Sequence, residues 1–252
     1  MPLPLSGPQP PPPRTPRPAR RRFATTRWSL VLAAGQGATP QARKALGELC
    51  QLYQAPLQRF FRCLGRPEED ARDLTQDIFT RLLETNDLAT ADPRKGRFRT
   101  WLLTRAKSHL ANVGKSERAL KRGGDQLQLG LSEADPESSL IPARGLTPEQ
   151  EYERRWAETL LANAWVALRE ECQRLNKEPV LEKLKGTLMG VEEDSHARIA
   201  GELGKTAGAV KTEVCRLRRR LRALVRAEVA HTVEPEDFED EMKFFFSALR
   251  AP

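Results

Sequence analysis

Apolar side chains along this chain recur at spacings of three and four and almost nowhere alternate. Between Gln41 and about Leu64 the series is Leu46, Leu49, Tyr53, Leu57 and Phe60, which predicts a helix with one buried face. "GRPEED" interrupts it: Gly65 suits a helix end, and Pro67 with Glu68 to Asp70 suits the next helix start. That second helix is expected to reach about Glu84, with Ala71, Leu74, Ile78 and Leu82 as its seam. A polar loop, "NDLATADPRKGRFRT", precedes a further helix from about Thr100 to Leu120. Order is expected to begin at Phe23 to Leu32. Gly123 to Thr147 is rich in Gly, Pro, Ser and acidic residues and has no sustained period, so it reads as a linker. Beyond it, Pro148 opens a helix carrying Tyr152, Trp156, Leu160, Ala164, Val166 and Leu168 to about Leu175, and Pro179 a shorter one through Val180, Leu181, Leu184 and Leu188. Ser195 to Leu203 and a long basic helix from Thr206 complete the series. No segment reads as a strand. The expected fold class is all-α: two small helical domains joined by a flexible linker. The expected boundaries are a tail at 1–22, a helical domain at 23–122, a linker at 123–149, a second helical domain at 150–232 and an acidic, aromatic tail at 233–252.

Composition agrees with this picture. Of 252 residues, 39% are hydrophobic and 30% charged, with a net charge of +8; Ala, Leu, Arg and Glu dominate over Val and Ile, which favours helix over strand. No apolar run reaches the roughly 18 residues of a membrane span, and the first residues lack the apolar stretch of a secretory signal, so no membrane partner is expected and the location is expected to be cytoplasmic. "MPLPLSGPQPPPPRTPRPARRR" is too dense in proline to join a helix or a sheet ladder. Cys50, Cys63, Cys172 and Cys215 are scattered, as are His109, His196 and His231. Neither set has metal-site spacing, and reduced thiols are expected. No cofactor is expected.

The basic helix holds the clearest chemistry. Val210, Val214, Leu217, Leu221 and Leu224 form one apolar stripe, while Lys211, Arg216, Arg218, Arg219, Arg220, Arg222 and Arg226 fill much of the rest. The stripe docks the helix and leaves the cations to a polyanion. Just upstream, "SHARIAGELG" supplies a cap at Ser195, apolar Ile199, Ala200 and Leu203, and a helix end at Gly204, with Thr206 able to cap the basic helix itself. Two helices joined by so short a turn describe a helix-turn-helix. In such a unit the start of the second helix meets base edges in the major groove and flanking cations hold phosphates. Lys205, Thr206, Lys211, Thr212 and Arg216 are the candidate readers of double-stranded DNA, with Arg219 and Arg220 beside them. In the first half, aromatic Phe98 and Trp101 lie among Arg94, Lys95, Arg97, Arg99, Arg105, Lys107 and Lys115, a mixture suited to unstacked single-stranded bases.

"DLTQDIF", then "GRFRTWLLTRAK", then a linker, then "ARIAGELGKTAGAVKTEVCRLRRRL" resembles a bacterial RNA polymerase sigma factor of the extracytoplasmic-function group of the sigma-70 family. The resemblance covers about residues 23–122 and 150–230. It implies an all-α protein that binds core RNA polymerase, recognises promoter DNA and directs transcription initiation. Asp73, Gln76, Asp77, Thr80 and Arg81 match the segment that binds the β′ clamp. Arg94, Lys95, Arg97, Phe98, Arg99, Trp101, Arg105, Lys107, Ser108, Asn112 and Lys115 match the part that melts and reads the minus-ten element on the non-template strand. The helix-turn-helix matches the reader of the minus-thirty-five element, which also touches the β flap. The linker would lie in the RNA exit path, and an anti-sigma factor becomes a candidate partner. Ser108 stands where many members carry Asn and Asn112 where many carry Asp, and Gly114 is expected to interrupt the helix.

Two other functions compete. A stand-alone helix-turn-helix regulator would account for the second half alone. A metal-dependent nuclease could use Asp70, Asp73 and Asp77 on one helical face, but no histidine, further carboxylate motif or glycine-rich phosphate loop accompanies them; no enzymatic activity and no catalytic residue is expected. The tail "VEPEDFEDEMKFFFSALRAP" joins six acids to Phe244, Phe245, Phe246 and Leu249. It is expected to form a short amphipathic helix that docks on the protein's own basic surface or on a regulator, moderating DNA binding.

Overall fold

The computed structural model describes residues 27–36, 39–85, 87–122, 145–190 and 196–250. The tail at 1–22, most of the linker and the expected cap at Ser195 lie outside them. Among the described residues there is no strand, and the all-α class holds.

The first helix, α1, spans Arg27–Ala34, and α2 spans Pro40–Cys63. Thr39 caps α2 by accepting a hydrogen bond from the Ala42 amide at 3.1 Å, and Pro40 follows in the first turn, where its missing N–H costs nothing. Its buried side includes Leu46, Leu49, Tyr53, Leu57 and Phe60, all five residues of the apolar series. α3 spans Glu68–Glu84 and opens with Glu68, Glu69 and Asp70, acids that suit the positive end of a helix dipole. After two short 3-10 turns, α4 runs Phe98–Arg122. It passes straight through Gly114, which corrects the expected interruption. A single interior glycine costs only about 1 kcal/mol, and Leu110 and Val113 hold this stretch against the core.

α5, Pro148–Arg174, starts with a capping box in which Thr147 and Gln150 satisfy each other's backbone amides. Its 27 residues make a rod of about 40 Å. α6 is Glu178–Met189 and stops at Gly190, whose φ is 69°. α7 is His196–Leu203, α8 is Ala207–Ala230 and α9 is Phe238–Arg250.

Two apolar cores result, and α5 and α8 enter both. The first joins α1 to α4 with Tyr152, Trp156, Ala157, Leu160 and Ala164 of α5, Val225 and Val229 of α8, and Met242 and Phe245 of α9. The second is smaller: Leu168, Cys172, Leu181, Leu184, Ile199, Ala200, Val210, Val214 and Leu217. Residues on either side of 123–144 therefore share the larger core. The stripe of the basic helix is Val210, Val214 and Leu217 in the second core, then Val225 and Val229 in the first, with Leu221 and Leu224 touching both.

Candidate nucleic-acid interface

α7 and α8, where the sequence leads one to expect a helix-turn-helix, are joined by a short turn. Ile199 and Ala200 are buried at the crossing, and Val210 packs beside them. Gly204 takes the left-handed conformation, φ 62°, which glycine adopts without the penalty of a Cβ. The Lys205 amide closes the turn by donating to the Ala200 carbonyl at 2.9 Å. Thr206 caps α8 by accepting from the Ala209 amide at 3.2 Å. Lys205, Thr206, Lys211, Thr212, Arg216, Arg219 and Arg220 are all exposed.

Their partners separate them. Arg216 pairs with Glu213 at 2.8 Å on its own helix. Arg220 forms a two-pronged pair with Glu171 of α5, and the same contact holds the Glu171 carboxyl below its ordinary range. Arg218 donates to the Thr187 carbonyl of α6 at 2.7 Å. Arg218 and Arg220 thus clamp α8 to its neighbours, while Lys205, Lys211 and Arg219 carry no ion pair among the described residues.

A second polar surface surrounds the start of α4. Asp92 orders the loop by accepting from the Arg94 amide at 3.0 Å and from its guanidinium at 3.0 and 2.9 Å; these contacts hold the Asp92 carboxyl below its usual range. Gly96 has φ 128°, a backbone state that strains residues with a Cβ. Trp101 stays partly open, with the Arg105 guanidinium 5.2 Å from its ring centre and Arg105 donating to Thr90 at 3.1 Å. A cavity of about 540 Å³ lies here, lined by Thr90, Asp92, Lys95, Gly96, Arg97, Thr100, Trp101 and Thr104, and also by Val233, Glu234 and Asp237. Farther along α4, Lys107 pairs with Glu149 at 2.7 Å, Ser108 donates to the Thr104 carbonyl at 3.1 Å, and Asn112 and Lys115 are exposed.

Phe98 and Arg99 depart from the expected arrangement of solvent-facing readers. Phe98 is 4% exposed, packed edge-on to Tyr53 at 5.3 Å and stacked on Trp101 at 5.4 Å; it is a core residue that supports Trp101. Arg99 is also 4% exposed. Its guanidinium packs over the rings of both Trp156 and Phe244, 4.5 and 4.1 Å from their centres, and donates to the fully buried carboxylate of Glu241. Arg97 reaches the same carboxylate at 2.5 Å.

On α3, Asp73, Gln76, Asp77, Thr80 and Arg81 are exposed at spacings that make one stripe opposite the buried Ala71, Leu74, Ile78 and Leu82. Beneath it lies buried His109, with Nε2 3.8 Å from Asp77. Among the described residues, no group of three His, Cys, Asp or Glu could hold a metal ion, and no helix is long and apolar enough to cross a membrane.

Residues 49–117 match the family model for Sigma-70 region 2. The match takes in the end of α2, all of α3, the loop and most of α4. It supports a sigma factor of the sigma-70 family, involved in promoter recognition and transcription initiation, and implies contacts with core RNA polymerase and promoter DNA. No curated protein and no solved structure matches the chain.

The partners Glu149 and Glu171 escaped the sequence reading, and Glu241 was named only as one acid of a tail expected to dock on the protein's own basic surface, not as the partner of Arg97 and Arg99. A signal for Glu241 existed: at 241 it falls on the helical face of Phe238, Met242, Phe245 and Leu249, and a carboxylate on an apolar stripe needs a cation.

Proposed function

We propose that this chain is a cytoplasmic sigma factor of the extracytoplasmic-function group, acting as a binding subunit without catalysis or cofactor. The α3 stripe from Asp73 to Arg81 docks on the β′ clamp. The loop around Gly96 and the exposed side of α4 receive the melted non-template strand of the minus-ten element. A cavity of about 540 Å³ beside Trp101 has room for an extruded base, and stacking on an aromatic ring contributes about 1–3 kcal/mol per base. The α7–α8 unit enters the major groove at the minus-thirty-five element and meets the β flap. Lys205, Lys211 and Arg219 supply the groove and phosphate contacts, and Arg218 and Arg220 hold α8 rigid.

What supports the reading most is the order of parts in one chain. A region 2 match at 49–117 precedes a basic helix-turn-helix whose cations face outward. A stand-alone regulator has no use for the polar stripe on α3. Co-purification of the full chain with core RNA polymerase, followed by run-off transcription on genomic fragments, tests this. Retention on the polymerase and new transcripts are expected; DNA binding with no polymerase binding would overturn the reading in favour of a stand-alone regulator.

A further inference from the structure

We propose that the segment from Val233 to Arg250 is an internal mimic of single-stranded nucleic acid, which occupies the minus-ten reading surface and is displaced when a melted strand binds. This rests on the function proposed for that surface.

The contacts reproduce those of a nucleotide with side-chain chemistry. Glu241 offers one fully buried carboxylate to Arg97 and Arg99 together, as a phosphate offers its oxygens to a pair of arginines. Phe244 lays its ring 4.1 Å from the Arg99 guanidinium and 5.9 Å from that of Arg97, the stacking that an unpaired base makes on arginine. Glu234 and Asp237 line the cavity beside Trp101 together with Lys95 and Arg97, and add negative charge to a site that holds these cations. Carboxylates stand for phosphates and a phenyl ring stands for a base.

The segment is also built to leave. Thirteen residues are too few for a stable helix alone, so undocking and unfolding of α9 are coupled. The attraction within the buried Glu241 pair is offset by the cost of removing both partners from water; a strand presenting several phosphates at once competes with it directly. The same helix grips the far end of α8, where Arg226 pairs with Glu239 at 3.0 Å and lies 4.6 Å from the Phe238 ring centre. Docked, α9 therefore ties the two DNA-reading surfaces into one arrangement; undocked, it frees them to meet separate promoter elements.

The test uses full-length protein and a fluorescein-labelled single-stranded oligodeoxynucleotide of mixed sequence. Glu241→Gln and Phe244→Ala are each expected to bind it about tenfold more tightly than wild type, the gain from removing a docked state favoured about ten to one. Equal or weaker binding by folded variants overturns the proposal. Should either variant fold poorly, hydrogen exchange on the wild type decides: adding the oligonucleotide should accelerate exchange in 238–250 and slow it in 94–101. Unchanged protection of 238–250 with probe bound overturns the mimic. Core polymerase binding, measured in parallel, separates the two readings. A chain that binds polymerase and probe without releasing α9 loses only the mimic, whereas one whose Glu241→Gln form binds neither loses the proposed function as well.

Discussion

His109 shows how a single side chain can report on the α3–α4 contact. It is 6% exposed and neither ring nitrogen has a hydrogen-bond partner among the described residues. Burial, and secondarily the charge of Arg81, push its pKa below the ordinary 6.5, while Asp77 opposes the shift. The unfolded chain therefore takes up a proton near pH 6.5 that the folded chain refuses until lower pH. The favourable contribution is complete above pH 6.5 and is lost as pH falls below it through the folded value. Urea unfolding of wild type and His109→Leu between pH 5 and 7.5 should show a shallower loss on acidification in the variant; parallel curves would mean that His109 is not held neutral. The arginines of α8 divide by the same logic of partners. Lys211→Ala is expected to cost about 1–3 kcal/mol of promoter affinity if it reads a base, with little change in unfolding. Arg220→Ala removes the exposed clamp to Glu171, worth about 0–1 kcal/mol of stability. Fluorescence anisotropy and thermal unfolding of the two variants check this division, which fails if Lys211→Ala leaves DNA binding intact.

At the level of the element, the turn between α7 and α8 depends on Gly204. A Cβ there would meet open space, so the cost of Gly204→Ala is conformational only. It should be about 1 kcal/mol of unfolding free energy, with weaker double-stranded DNA binding in proportion; a neutral effect would mean that the turn does not need the left-handed state. For α3, Asp77→Ala is expected to weaken polymerase binding by about 2–5 kcal/mol if a partner charge is buried against it, with no change in DNA binding by the α7–α8 unit; pull-down titrations read the difference. The helices themselves were legible in the sequence because spacing and end signals coincide: Pro67, Pro148 and Thr206 each precede an apolar series, and Gly204 ends one. The exposed stripes on α3 and α8 were legible for the same reason, since the seam fixes the opposite face. Phe98 and Arg99 were not. Aromatic and cationic residues side by side look the same in sequence whether they face a nucleic acid or one another. For Phe98 the deciding partner is Tyr53, and for Arg99 it is Trp156 and Glu241, 57 and 142 positions later in the chain. Gly114 misled because a local preference of about 1 kcal/mol was set against a packed face that outweighs it.

The whole molecule is more tightly joined than a pair of beads on a tether. Leu160 and Trp156 of α5 and Phe245 of α9 are among its most deeply buried side chains, and they lie in the same core as Leu49, Leu57 and Phe60 of α2. A rod of about 40 Å carries α5 from this core into the second core, with α6, α7 and α8. Covalent continuity through 123–144 is then not what holds the two parts together. A protease site introduced within 123–144 and cleaved under native conditions should leave two fragments that co-elute from a sizing column as one particle. Leu160→Ala should weaken this association, because a buried leucine cut to alanine costs about 2–5 kcal/mol and that loss falls where the fragments meet. In uncut Leu160→Ala protein, unfolding followed by signals in α2 and in α5 should shift to lower denaturant together. Fragments that separate on cleavage, or signals that shift independently, would show that the shared core does not bind the halves in solution. Rigid joining would also explain why the link between α9 and the arginines of the α4 loop matters. In a molecule held this firmly, moving the start of α4 relative to α8 requires releasing a contact at the junction, and α9 touches both, through Arg97 and Arg99 on one side and Arg226 on the other.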